Sequence, residues 1–214
     1  PGRRITGHAP LLSGRALDRY IAAGIGDDHE CSSAEEAMER IRKGQRVMIR
    51  QGTAARNLDA LLPLFEEPWA SRCLLVTDDK HPADLLEYGH IDATIRRVAA
   101  AGKNPVTGIR MATLWAAEYF GLKGIGAVAP GYTADVLVLE DLDTVAVRDV
   151  YRRGIRVVEN GQLSALSQPA VPAPLQEVVR RTFALDALTP DDFRIDARGK
   201  RVCRVIRQVP GELL

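Results

Sequence analysis

Cysteine, aromatic residues and any excess of charge are all scarce in this sequence. The three cysteines, Cys31, Cys73 and Cys203, lie far apart with no Cys-x-x-Cys pair, which excludes a zinc ribbon and argues against a disulfide framework. They read as small buried hydrophobes in a reducing compartment. Lysine and arginine number 29 against 28 acidic residues, a formal charge of +1, so no global field recruits nucleic acid or an anionic membrane. No apolar run approaches the roughly 18 residues that a membrane-spanning helix needs, and no signal-peptide pattern is present. The expectation is a cytoplasmic protein with neither nucleic acid nor membrane as partner. The chain also lacks an initiating methionine: Pro1 opens it, and the residues from Arg3 to His8 already read as strand running into a site, as in the middle of a longer protein.

What is present is an ordinary globular composition, 46% hydrophobic over 214 residues, enough for one substantial core or a larger domain with a small one. The first half repeats one pattern: a short apolar or β-branched run, a polar tip, then an amphipathic helical stretch, which is the signature of βα units around a parallel sheet. Ile5-Thr6-Gly7-His8 predicts a short strand, and Ser13 is positioned to cap a helix carrying Leu17, Tyr20 and Ile21 that Gly24 ends. A very short strand leads to Asp28-His29-Glu30. Ser33 and Glu36 have capping-box spacing ahead of a helix through Met38 and Ile41.

Arg46 to Arg50 predicts a third strand, the segment of Leu58, Leu61, Leu62 and Phe65 a helix stopping at Pro68, and Cys73 to Thr77 the most apolar strand, ending on Asp78-Asp79. One long helix is expected from about Pro82 to Ala101, with Leu85, Leu86, Ile91, Ile95 and Val98 on its apolar side, and another from Val106 to Phe120. From Gly121 the periodicity changes to short strands with turns, and Pro169, Pro172 and Pro174 mark a linker before a β-rich start over Phe193 to Val209. The fold class is thus α/β: the second half of a TIM-like eight-stranded barrel over residues 1–120, strands of a small β-sandwich over 121–165, and a linker with the start of a C-terminal domain over 166–214.

The chemistry-bearing feature is positional, since His8, His29 and Asp78 each fall at the C-terminal end of a predicted strand. In a parallel barrel those ends converge on one mouth, where active sites lie. Two imidazoles and a carboxylate suit a divalent metal. Taken singly each residue has a plainer explanation: a histidine at a strand end is more often a structural hydrogen-bonding residue, and either Asp78 or Asp79 is placed to cap the next helix. Their joint occurrence at three strand tips favours a metal site.

Three short segments, Gly7-His8-Ala9-Pro10, Asp28-His29-Glu30 and Thr77-Asp78-Asp79, together with the run from Met48 to Leu58, closely resemble the adenine deaminase family of the amidohydrolase superfamily. Gly89-His90-Ile91-Asp92, Ile109-Arg110-Met111-Ala112-Thr113 and the run from Gly126 to Asp135 extend the likeness, which reaches Val209-Pro210-Gly211. The resemblance implies a barrel with two divalent ions, manganese or iron with zinc as an alternative, flanked by a β-sandwich, and hydrolytic deamination of adenine in purine salvage. It assigns His8 and His29 to the more exposed metal, and Asp78 to the buried metal and to the proton of the attacking water. The family's His-x-His pair and bridging glutamate have no counterpart here, as expected if an N-terminal half of the same protein supplies them.

Glu30 is the candidate for proton work at the purine nitrogen, with a supporting structural role as the alternative. Arg50, Gln51 and Asp79 are candidate substrate contacts, although glutamate is commoner in the family at the position of Gln51. His81 and His90 read as loop residues or supports behind a ligand. The basic tail of Arg198, Lys200, Arg201, Arg204 and Arg207 reads as the solvated face of a strand. Alternatives are another cyclic amidohydrolase acting on a ring amide, and a non-catalytic scaffold retaining half of an enzyme fold. Cytidine-deaminase chemistry fits poorly without a Pro-Cys-x-x-Cys element. The superfamily likeness also implies a homo-oligomer.

Overall fold

The computed structural model describes residues 4–164, 172–180, 182, 184–196 and 198–207, in two compact units that divide after Ser164. The first unit is built on a parallel sheet of three strands, β1 (Asp27–Asp28), β2 (Arg46–Arg50) and β3 (Cys73–Val76), in that order. Asp27 pairs with Arg46 and Val47 with Cys73, and the connections through α2 (Ala34–Arg42) and α3 (Leu58–Leu61) are βαβ crossovers. The expected strand at residues 5–8 is reduced to a single parallel bridge between Ile5 and Ile25. Val47, Met48, Ile49, Cys73, Leu74 and Leu75 are all buried, so both faces of the sheet are covered, as a parallel sheet requires. Ile41, Leu61, Ile95, Val98, Met111 and Trp115 close over it.

Helix α1 (Gly14–Ala22) starts after Ser13, but the Ser13 side chain makes no capping bond. Ser33 does cap α2, its hydroxyl accepting from the Glu36 amide at 3.2 Å. The reciprocal half of the expected box is missing, because the Glu36 carboxylate reaches instead to the Ser32 amide at 2.8 Å. The long helix expected over 82–101 is two helices, α4 (Pro82–Glu87) and α5 (Ile91–Ala100). Gly89, at φ 98°, takes the left-handed conformation that ends α4, and the Asp92 carboxylate restarts α5 by accepting from the His90 amide at 2.7 Å. Leu85 and Leu86, placed on the apolar side by periodicity, are exposed. The second long helix also divides, into α6 (Pro105–Ala112) and α7 (Leu114–Phe120), at Thr113 with ψ −92°.

Beyond α7 lies an antiparallel meander, β4 (Val136–Leu139), β5 (Val147–Arg152), β6 (Ile155–Glu159) and β7 (Gln162–Leu163), in sequence order. It provides one sheet, close to the strands expected there. In the second unit, α8 (Ala173–Arg180) begins where Pro172 and Pro174 predicted linker, and proline in the first turn of a helix forfeits no backbone bond. Pro169 and the Val209-Pro210-Gly211 segment lie outside the described residues. A short 3₁₀ turn (Pro190–Phe193) follows, and no strand forms among the described residues of 193–207, contrary to the β-rich expectation. Val202, Val205 and Ile206 are exposed there; a strand needs a neighbour to receive its ladder of hydrogen bonds, and none is described. Among the described residues no helix is long and apolar enough to cross a membrane.

Candidate functional site

Three strand-end segments, following the Ile5 bridge, β1 and β2, deliver the functional side chains to one place. The ligand atoms of His8, His29 and Glu30 all lie within 4.8 Å of one another, and they form the only such group of metal-binding side chains among the described residues. His8 Nδ1 is 3.5 Å and His29 Nε2 4.0 Å from Glu30 Oε1, with the two imidazole rings 5.5 Å apart at 43°. The Glu30 side chain is 10% exposed and its Oε2 is buried with no hydrogen-bond partner. A buried carboxylate oxygen without a partner is costly unless a cation or proton satisfies it. Two imidazoles, which coordinate as neutral bases, and that carboxylate suit one divalent ion, so the side chains present fit a metal.

Asp78 stands outside this trio. Its Oδ2 is 2.8 Å from Arg50 Nη1, and the same nitrogen lies 3.4 Å from Glu30 Oε1. Arg50 therefore joins Asp78 to the histidine group through Glu30, and Glu30, expected to do proton work, is the acid nearest the imidazoles. Asp78 holds a left-handed backbone at φ 56°, a conformation more open to aspartate than to most residues and concentrated at functional sites. Its side chain is 45% exposed, which leaves Oδ1 free to meet an incoming molecule.

The other candidate contacts separate. Asp79 turns inward: its Oδ2 accepts from the Ala54 amide at 2.6 Å and the Ala55 amide at 3.3 Å, holding the turn after β2, while Oδ1 is buried without a partner. A side chain at Gly52 would collide with that Oδ1, so the close approach requires glycine. Gln51 opens into a cavity of about 370 Å³ that it lines with Arg56, Lys80, Asp84, Tyr88 and Arg97; neither the histidine trio nor Asp78 borders it. His81 accepts from the Ala83 amide at 3.2 Å and caps α4, and His90 Nε2 is 3.1 Å from Thr77 Oγ1; both are loop supports, in keeping with their sequence context.

Sequence reasoning missed the groups that hold the site. Asn57 accepts from the Arg50 amide at 2.6 Å and donates to the carbonyls of His29 and Cys31, tying the His29 loop to the end of β2. Tyr119 donates to Asp27 at 2.6 Å beneath the site, and burial pushes both groups above their ordinary values, with the Asp27 carboxylate raising the Tyr119 phenol further. Burial likewise raises the Cys31 thiol and pushes the Cys73 thiol up to about 12, so both behave as expected of inert core cysteines; Cys203 is exposed, which corrects its expected burial. A conspicuous signal for Asp28 and Arg40 was absent, since charged residues in a strand and a helix ordinarily face water.

The amidohydrolase family model matches residues 2–163. An adenine deaminase of Desulfatibacillum aliphaticivorans is 45% identical over 212 residues, which are 99% of this chain and 36% of that protein. Adenine deaminase 2 of Carboxydothermus hydrogenoformans is 42% identical over 213 residues, 100% of this chain and 36% of its own length. The chain thus spans little more than a third of the curated relatives it matches. Among solved structures, a beta-aspartyl dipeptidase of Fervidobacterium islandicum AW-1 aligns with a TM-score of 0.56 at 16% identity, over 74% of this chain and 48% of that one. An amidohydrolase from Thermotoga maritima MSB8 aligns at 0.52 and 17% identity, over 74% and 44%. At such identities the structural likeness speaks to fold alone, whereas the family model covers most of the sequence, and the chain belongs to the amidohydrolase family.

Proposed function

We propose that the protein containing this chain hydrolyses adenine to hypoxanthine and ammonia, as a step of purine salvage in the cytoplasm. The observation that carries the proposal is the convergence of His8, His29 and Glu30, with a buried carboxylate oxygen awaiting a partner and Asp78 linked to the trio by Arg50. The names of the relatives at 42–45% identity supply the substrate class. His8, His29 and Asp78 would hold divalent ions, two in the complete site, manganese or iron with zinc also tolerated. Glu30 is close enough to the imidazoles to join the ligand set. A divalent ion in such a site lowers the pKa of a water it binds towards neutrality.

The chain's own residues then supply positioning and proton transfer. Asp78 accepts a proton from the water that adds at C6 of the purine, and Arg50 anchors its Oδ2. The C6 amino group leaves as ammonia once protonated, and Glu30 is placed to relay that proton when it is not engaged as a ligand. Gln51, directly after Arg50 at the end of β2, is taken with it as a substrate contact. Asp79 serves that contact indirectly by holding the turn at residues 52–55.

The same reading takes residues 1–120 as half of an eight-stranded barrel, 121–165 as part of a β-sandwich and 166–214 as a linker leading to a further domain. An N-terminal half would close the barrel and bring the remaining ligands, and the assembled protein would be a homo-oligomer. Ammonia release from adenine by the full-length protein, loaded with manganese or ferrous iron, tests the proposal beside Asp78→Asn. Activity in the parent and a loss of about 10²–10⁴-fold in the variant is expected. Absence of activity with metal demonstrably bound would redirect the assignment to a ring-amide substrate.

A further inference from the structure

Both loops that carry the histidines are fastened to one helix by three side chains with no assigned role. Asp28 is fully buried at the end of β1. Its Oδ1 accepts from the Glu30 amide at 2.8 Å, and its Oδ2 accepts from the Ala9 amide at 3.1 Å and from Arg40 Nε at 2.8 Å. Ala9 directly follows His8, so one carboxylate grips the segment of His8 and the segment of His29 and Glu30 at once. Arg40, also fully buried, donates from Nη2 to the Ala9 carbonyl at 2.5 Å and lies 2.8 Å from Glu36 Oε1.

Glu36 completes the arrangement from the same helix. Its Oε1 accepts from the Leu11 amide at 2.9 Å, and its Oε2 accepts from the Ser32 amide at 2.8 Å and the Ser32 hydroxyl at 3.2 Å. Glu36 and Arg40 are one turn apart on α2, where side chains share a face. Burial works most strongly against the Arg40 charge, yet the hydrogen bond to Asp28 and the surrounding negative groups, Asp28 and Glu36 among them, together outweigh it and hold the guanidinium above its ordinary value.

We infer that Asp28, Arg40 and Glu36 form a positioning clamp that sets the separation of the His8 and His29–Glu30 donors, and so the metal affinity of the site. Core packing alone does not require this network: a buried ion pair is weak evidence for stability, and apolar residues of similar volume commonly replace one without loss. What the network adds is that, apart from the Arg40 bond to the Glu36 carbonyl within α2, every backbone bond its side chains make falls on residues within three of His8 or of His29. Outer partners of metal ligands typically change affinity by about 10–100-fold when removed.

The inference rests on the metal-site reading, and the test separates the two. Cobalt(II), whose visible absorption reports ligand geometry, is titrated into the metal-free full-length protein and into Asp28→Asn, Arg40→Lys and Glu36→Gln, with melting temperatures measured in parallel. The asparagine keeps one acceptor for the Glu30 amide and presents a donor to Ala9 and Arg40. The lysine keeps a cation beside Asp28 but has one nitrogen where the clamp uses two. Weakening of cobalt affinity by about 10–100-fold with an altered spectrum is expected for Asp28→Asn, and a smaller loss for the other two. Lower melting temperatures with unchanged affinity and spectrum would overturn the clamp as a purely structural network. A parent that binds no cobalt would overturn the metal reading itself, and the clamp with it. If Asp28→Asn does not fold, Glu36→Gln, which leaves the buried Asp28–Arg40 pair in place, decides the matter by the same two readouts.

Discussion

The parallel and antiparallel sheets of this chain bury different things. In β2 and β3 nearly every residue is buried, and around them Asp27, Asp28, Arg40, Gln45, Arg50 and Asn57 are withdrawn from water. In β4 to β7 most positions are half-buried or exposed, Leu137, Ile155 and Leu163 among them, and Asp149 is the one buried polar side chain among its described residues. The lesson is that the molecule concentrates the cost of burying charge around the candidate metal site. The antiparallel sheet has no such site to hold, and its half-buried positions leave cross-strand side-chain pairs to stabilise it.

The comparison breaks or sharpens under four measurements. The widest contrast is in thiol reactivity: at pH 8 the Cys73 thiol, buried at the start of β3 and pushed up to about 12, is almost wholly protonated and should react far more slowly with a disulfide reagent than exposed Cys203. Similar rates would mean that β3 is not the protected centre. Next, Leu74→Ala should cost about 2–5 kcal/mol in denaturant unfolding, and Leu137→Ala, at 57% exposure, about 1 kcal/mol or less.

Tyr119→Phe removes the hydroxyl that bonds the buried Asp27 carboxylate and should cost about 1–3 kcal/mol. An unchanged stability would show that Asp27 finds another partner. The finest contrast uses glycines. Gly154→Ala, at φ 79° with only the Ala134 Cβ at an ordinary contact distance of 4.0 Å, should cost about 1–2 kcal/mol of backbone strain and leave ammonia release intact. Gly52→Ala must displace Asp79 from the turn beside Arg50, so its expected signature is lost activity at comparable stability cost. Equal activity in the two variants would detach that turn from the site.

How much of this was legible depended on whether the signal was local. Val47, Met48 and Ile49, and Cys73, Leu74 and Leu75, announced strands because a parallel sheet buried on both faces demands continuous apolar runs. His8 and His29 stood out as candidates by strand-end position, and their rings lie 5.5 Å apart. The break at Gly89 was missed because an apolar period running through it looks like one helix, although the residue itself is a known stop signal. Leu86 was misplaced for the same reason, its position inferred from a helix that does not continue.

By itself the sequence determined the order of βα units, the change to antiparallel strands after Gly121 and the residue types able to hold a metal, all of which are written in spacing and composition. Only the tertiary structure decided that Glu30 joins the histidines, that Arg50 carries the link to Asp78, and that Asp28 and Arg40 turn inward to grip both loops. Those outcomes depend on which strand ends are neighbours and on the low-dielectric surroundings that make a buried charge find its partner, and neither is encoded within any one segment.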